Sequence, residues 1–192
     1  MDQDEGVADK RNARPHRMFT PRELSLIIIL SALGGAVSVP IGYAGNLLKT
    51  IPLLPFGTPQ ILSGLHVIWI LLAGTLVKKT GSSTIAGILK GLIEVTLFSY
   101  HGILVLLIST AQGVTMDLVL AALGRKNVFS LCLASGLSSS SNVIVLKLTF
   151  LRHLPLPLFF SMYAFSFVSG VLFAGYLAKR ALDVAGPLMG GG

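Results

Sequence analysis

The stretch GILKGLIEVTLFSYHG (residues 87–102) has the make-up of a helix built for lipid, yet it carries Lys90 and Glu94 one turn apart. A charge held at the centre of a bilayer costs about 3 kcal/mol on insertion scales, so ionisable groups there face the interior and mark a site or a partner. Two residues four apart lie about 40° apart around a helix and share a face. The two charges therefore meet each other, a neighbouring helix or a ligand.

The rest of the chain has the same character. Of 192 residues, 53% are hydrophobic and only 12% charged, too apolar for an ordinary soluble domain. The expected fold class is an all-α membrane protein, a six-transmembrane-helix bundle forming one domain over residues 21–180. A span needs roughly 20 apolar residues to cross about 30 Å of hydrocarbon. Apolar runs divided by turn residues and charges predict helices over 21–43, 61–77, 82–99, 103–123, 128–151 and 156–179. The first opens on TPRE, with Thr20 as N-cap, Pro21 at the first helical position and Glu23 completing a capping box. Residues 1–20, MDQDEGVADKRNARPHRMFT, are polar and are expected to form a disordered cytoplasmic tail; residues 181–192 are expected as a flexible C-terminal tail.

Basic residues set the orientation. Lys10, Arg11, Arg14, Arg17, Arg22, Lys78, Lys79, Arg125, Lys126, Lys179 and Arg180 fall on one side of the predicted spans, against Lys49 and Arg152 on the other. Cytoplasmic loops carry the lysine and arginine excess, which places both termini in the cytoplasm of a multi-pass cell-membrane protein. The formal charge of +7 is thus a matter of topology, and nucleic acid is not an expected partner. Between the first two helices, residues 44–60 contain Pro52, Pro55 and Pro59 among apolar residues. So long and apolar a connection is expected to fold back as a lid over the outer mouth.

Orientation gives each polar residue a depth. Glu94 lies one turn below the outer surface and Lys90 near mid-depth, with Tyr100 and His101 on the outer loop. His66 and Trp69 share a face in the outer half of helix two; Asn142 and Lys147 lie toward the outer end of helix five, and Phe159, Phe160 and Tyr163 begin helix six. Gln112 is near the middle of helix four and Asp117 in its inner third. Glu94, Trp69, His66, Asn142, Tyr163, His101 and Gln112 are the candidate substrate-binding residues of a pocket open to the outside. Plainer roles stand beside these: Lys90 and Asp117 as packing partners, His66 as a core residue, Trp69 as an interface anchor, and Lys147 snorkelling to the surface.

Ala32 and Ala36, in SALGGA, and Gly87 and Gly91 have the spacing that lets helices approach closely. Cys132 is the single cysteine, which excludes a disulfide framework or a cysteine metal site, and it is expected as a buried packing residue. There is no GxxxxGK[ST] phosphate loop and no HExxH pair, so ATP hydrolysis and zinc chemistry have no recognised motif; neither a cofactor nor a metal is expected.

These residues resemble a known family. The segments GLHVIWILLAGTLVKKTGSSTIAGILKGLIE (residues 64–94) and STAQGVTMDLVLAAL (residues 109–123), with ALGGA (residues 32–36) and the long first outer loop, are similar to the substrate-binding S-components of energy-coupling factor (ECF) transporters. The likeness is greatest to the YkoE type, linked to thiamine and its hydroxymethylpyrimidine precursor. The resemblance implies a non-catalytic subunit that captures a vitamin from outside under the first loop. It also implies a transmembrane T-component and two ATPase subunits as partners, with Ala32 and Ala36 docking on the T-component. Two other functions remain open: a self-sufficient secondary carrier or channel with Lys90, Glu94 and Asp117 as a proton relay, and a non-transporting membrane scaffold.

Overall fold

The structure, a computed structural model, describes residues 19–48, 58–98, 102–149 and 152–189. Everything described is helical or a short connection: α1 (Pro21–Leu48), a single turn α2 (Thr58–Ile61), α3 (Ser63–Val77), α4 (Ser82–Thr96), α5 (Leu104–Leu123), α6 (Val128–Thr149), α7 (Leu156–Ser169), a π-helical segment (Gly170–Tyr176) and α8 (Leu177–Met189). The last three run end to end, so six helical rods correspond to the six expected. Four of them, Pro21–Leu47, Leu104–Leu123, Val128–Thr149 and Leu156–Asp183, are long and apolar enough to cross a membrane. At 15 residues each, α3 and α4 cover about 22 Å at about 1.5 Å per residue.

The short α3 is the axis of the bundle. It touches α1, α4, α5, α6, α7, the π segment and α8. One face carries Val67, Ile70 and Leu71 into a core with Met116, Leu120, Leu131, Ala134, Ala174 and Ala178. The other sets Ala73 and Val77 against Ile27, Leu30 and Ala86. Because protein surrounds it, α3 can stop short of the membrane surfaces.

Several boundaries differ from the sequence-based expectation. α1 runs on through Pro40 to Leu48, so the first residues of the expected lid are helical. Transmembrane helices tolerate proline where neighbours satisfy the freed carbonyl, and the Tyr43 hydroxyl ties this extension to α4 by donating to the Phe98 carbonyl at 3.1 Å. The lid's last residues form α2, and residues 49–57 lie outside the described residues, as do residues 1–18 of the expected tail. α4 ends at Thr96, ahead of the left-handed Phe98 (φ 54°). α6 ends at Thr149. The segment expected as a tail from 181 is helical to Met189; an ion pair between Lys179 and Asp183 and hydrogen bonds from Arg180 to the Tyr176 hydroxyl support the start of this helix.

Glycines let the backbones meet. A Cβ on Gly87 would lie 2.3 Å from the Ser109 carbonyl oxygen, so α4 and α5 pack backbone to backbone there. The π segment follows the same logic. A Cβ on Gly170 would sit 2.4 Å from the Ser135 carbonyl oxygen, and one on Gly175 would sit 2.7 Å from the Cα of Cys132, which is half-buried. The Thr20 capping box forms as expected: the Thr20 amide donates to Glu23 Oε2 at 2.7 Å and the Glu23 amide to Thr20 Oγ1 at 3.3 Å. Glu23 also receives Lys79 Nζ at 2.6 Å, which fixes the start of α1 against the α3–α4 turn.

Gly87→Ala is expected to destabilise the fold by about 1–3 kcal/mol, the scale of overpacking. Gly42→Ala, whose Cβ meets nothing within 4 Å, is expected to leave it unchanged or raise it by up to about 1 kcal/mol through helix propensity. Thermal unfolding in detergent compares the two; equal effects would show that the α4–α5 contact is not close.

Candidate functional site

Alternation of the rods puts the C-terminal ends of α1, α4 and α6 and the N-terminal ends of α3, α5 and α7 at one end of the bundle, away from Glu23 and Lys79. Six of the candidate residues lie on the halves of helices nearest that end; His101 lies outside the described residues.

The opening pair resolves first. Lys90 Nζ bonds Glu94 Oε1, and both side chains are 1% exposed. The second carboxylate oxygen, Oε2, accepts from Ser109 Oγ at 3.3 Å across the α4–α5 seam. Gly91 permits this approach, since a Cβ there would meet the Leu106 Cα at 2.9 Å. Glu94 thus meets Lys90 in its own helix and Ser109 on the neighbouring one, two of the partners that the sequence left open for it. In a low-dielectric interior an ion pair survives by mutual neutralisation with its remaining lone pairs hydrogen-bonded.

Asp117 is engaged elsewhere. Its Oδ2 accepts from the Thr84 amide and the Thr84 hydroxyl, each at 2.7 Å, and Oδ1 from the Ser83 amide at 3.3 Å. A carboxylate from α5 therefore caps the N-terminus of α4, satisfying amides that have no partner within their own helix. Thr84 and Lys90 are about 9 Å apart along the helix at about 1.5 Å per residue. Asp117 is not the partner of Lys90.

Two candidates have buried polar atoms with no hydrogen-bond partner among the described residues: Trp69 Nε1 and Asn142 Oδ1. The stem of Trp69 rests on α1, since a Cβ on Gly34 would lie 2.8 Å from the Trp69 Cβ. Buried donors and acceptors are nearly always satisfied, and one left bare costs about 1–3 kcal/mol. The indole N–H is a free donor and the amide oxygen a free acceptor among the described residues. His66 is half-buried on α3, one turn before Trp69, and Gln112 is buried on α5. Tyr163 packs beside Phe159 with ring centroids 6.1 Å apart, and Lys147 Nζ stands 4.1 Å over the Phe159 ring. Lys147 is thus held by a cation–π contact.

Sequence reading missed a belt of serines. Ser63 Oγ lies 2.7 Å from Ser139 Oγ and 2.9 Å from Ser166 Oγ, joining α3, α6 and α7. Ser166 donates to the Ser139 carbonyl at 2.8 Å, Ser138 to the Gln112 carbonyl at 2.8 Å, and Ser169 Oγ accepts from the Gly64 amide at 2.9 Å. The run SGLSSSS (residues 135–141) was its one visible sign, readable alone only as close packing. Ala32 and Ala36 are exposed on the outer face of α1, beside Ile28, Ile29, Leu33 and Val37, while Gly34 and Gly35 turn inward.

Removing one partner of the buried pair is expected to be more harmful than removing both. Glu94→Ala should destabilise by about 3–5 kcal/mol, and Lys90→Met with Glu94→Leu should recover most of that loss. Thermal unfolding of the three proteins checks this; a double variant as unstable as the single one would mean that the pair is not closed.

Comparison with known proteins places this arrangement. A model of the family described as "ABC-type cobalt transport system, permease component" matches residues 22–141. No curated protein matches the chain. A solved structure described as "Crystal structure of an S-component of ECF transporter" superposes with a TM-score of 0.80 at 22% identity, over 90% of this chain and 88% of that one. The described helices therefore have the fold of an ECF S-component, and the chain belongs to the family of permease components of ABC-type cobalt transport systems.

Proposed function

We propose that this protein is the substrate-binding subunit of an ATP-driven ECF-type importer in the cell membrane, and that its substrate is a small neutral heteroaromatic compound of the thiamine-precursor type. The observation that carries the role is the S-component fold over 90% of the chain. In this reading the end bearing Lys79 and Arg125 faces the cytoplasm, the opposite end opens outward, and energy comes from a T-component and two ATPases on other chains.

The choice of substrate class rests on the charges and the unpaired atoms. A cationic ligand such as thiamine would want an unpaired carboxylate, whereas Glu94 is already neutralised by Lys90. Hydroxymethylpyrimidine is neutral and flat, with ring nitrogens that accept and an amine that donates. Trp69 Nε1 and Asn142 Oδ1 offer the matching donor and acceptor, and Tyr163, His66 and Gln112 supply further stacking and hydrogen-bonding groups. A cobalt ion fits less well: among the described residues no three His, Cys, Asp or Glu side chains gather. The proton-relay reading is also disfavoured, since Asp117 is bonded to the first turn of α4 rather than to Lys90.

Small molecules released from the purified, denatured protein are expected to include the pyrimidine, and calorimetry is expected to give a Kd tighter than about 1 μM with thiamine weaker. Trp69→Phe, which keeps the ring and removes the N–H, and Asn142→Ala should each weaken binding by about tenfold, the scale of one hydrogen bond to a buried group. No co-purifying molecule and no binding of either compound would reject the substrate class.

The exposed alanines lead to a separate outcome. Ala32→Trp is expected to abolish uptake in cells while leaving calorimetric affinity intact, because it obstructs the flat face that the T-component would cover. Normal uptake would remove α1 from that interface.

A further inference from the structure

The geometry points to a binding site for the phosphate of an anionic phospholipid headgroup at the basic end of the bundle, between the α3–α4 and α5–α6 turns. A pocket of about 460 Å³ there is lined by Lys78, Leu123, Gly124, Arg125, Lys126 and Asn127. Lys78 closes α3 in the left-handed conformation (φ 57°), and Gly124 (φ 85°) turns the chain out of α5, so the two cationic turns come to one place.

Three cations line this pocket with no acid among them. None of the three forms an ion pair among the described residues. Among the described residues the carboxylates at this end are committed, Glu23 to Lys79, Asp117 to the first turn of α4 and Asp183 to Lys179. Arg125 is the decisive residue: its Nε and Nη2 are buried and have no hydrogen-bond acceptor among the described residues. Two guanidinium nitrogens shielded from water without an acceptor are expensive, and the planar fork they form matches two phosphate oxygens. Lys78 and Lys126 would add point charges, and the positive end of α6, which begins at Val128, faces the same side.

The surroundings select a lipid over a free anion. Leu123, Val128 and Phe129 beside the pocket are exposed, Phe129 by 73%. Cations beside exposed apolar side chains where spans end match a headgroup with its acyl chains, the pattern of basic pockets that hold anionic lipids.

Native mass spectrometry of the full-length protein, with phosphatidylglycerol titrated against phosphatidylcholine, tests the site. Phosphatidylglycerol should be retained preferentially, and Arg125→Gln should weaken its retention by about tenfold. Arg125→Lys, which keeps the charge and loses the fork, should fall between, and Lys78→Gln with Lys126→Gln gives an independent reduction. Equal retention of the two lipids, or indifference to all these variants, would overturn the proposal. Displacement of phosphatidylglycerol by millimolar inorganic phosphate would overturn the lipid assignment in favour of a free-anion site. Lipid retention that is unchanged in Arg125→Gln while the assembled transporter falls apart would overturn it in favour of acidic side chains on a partner chain.

Discussion

A polar group placed in hydrocarbon has to find its partner inside the protein, and this requirement shapes most of what holds the bundle together. The Lys90–Glu94 pair is the sharpest case. It can be buried only because Gly87 and Gly91 bring α5 close enough for Ser109 to reach the carboxylate. Asp117 applies the same rule in the other direction, leaving α5 to satisfy amides at the start of α4. One seam thus holds two acids, each neutralised or bonded in full, and the helix pair is fixed at both ends.

The serine belt extends this to the other side of α3. Hydroxyls are small enough to sit between backbones, and each can donate and accept, so Ser63, Ser139 and Ser166 link three helices without charge. Against that background the few unpaired buried atoms stand out. Among the described residues the exceptions are Ser38 Oγ, Ser83 Oγ, Trp69 Nε1, Asn142 Oδ1 and the Nε and Nη2 of Arg125, and the last three residues are those proposed above to take partners from outside the chain.

What could be read from the sequence follows from the range of each interaction. The starts of the rods at Pro21, Ser82, Val128 and Leu156 were legible because turn residues and charges punctuate the chain there. The Lys90–Glu94 contact was legible because it is four residues long. The Ser63–Ser166 contact spans 103 residues and the Thr84–Asp117 cap 33, and no local pattern specifies either. The π segment was hidden because its apolar run is identical in kind to an α-helix; the close approach of Gly170 and Gly175 to α6 is a tertiary fact. Helical periodicity identified small residues on α1 but not their division of labour, with Gly34 and Gly35 facing inward and Ala32 and Ala36 outward.

Under the proposed function, the neutrality of the candidate site has a mechanistic reason. An outward pocket that held a bare carboxylate would bind cations tightly, and the same charge would then have to be desolvated again when the subunit releases its cargo inward. In that reading, pairing Glu94 with Lys90 removes the cost, because the pair itself has no net charge. Recognition in the proposed function then falls to single neutral hydrogen bonds and ring stacking, each worth about 1 kcal/mol. Several such contacts can sum to tight capture while each remains weak enough to break in turn.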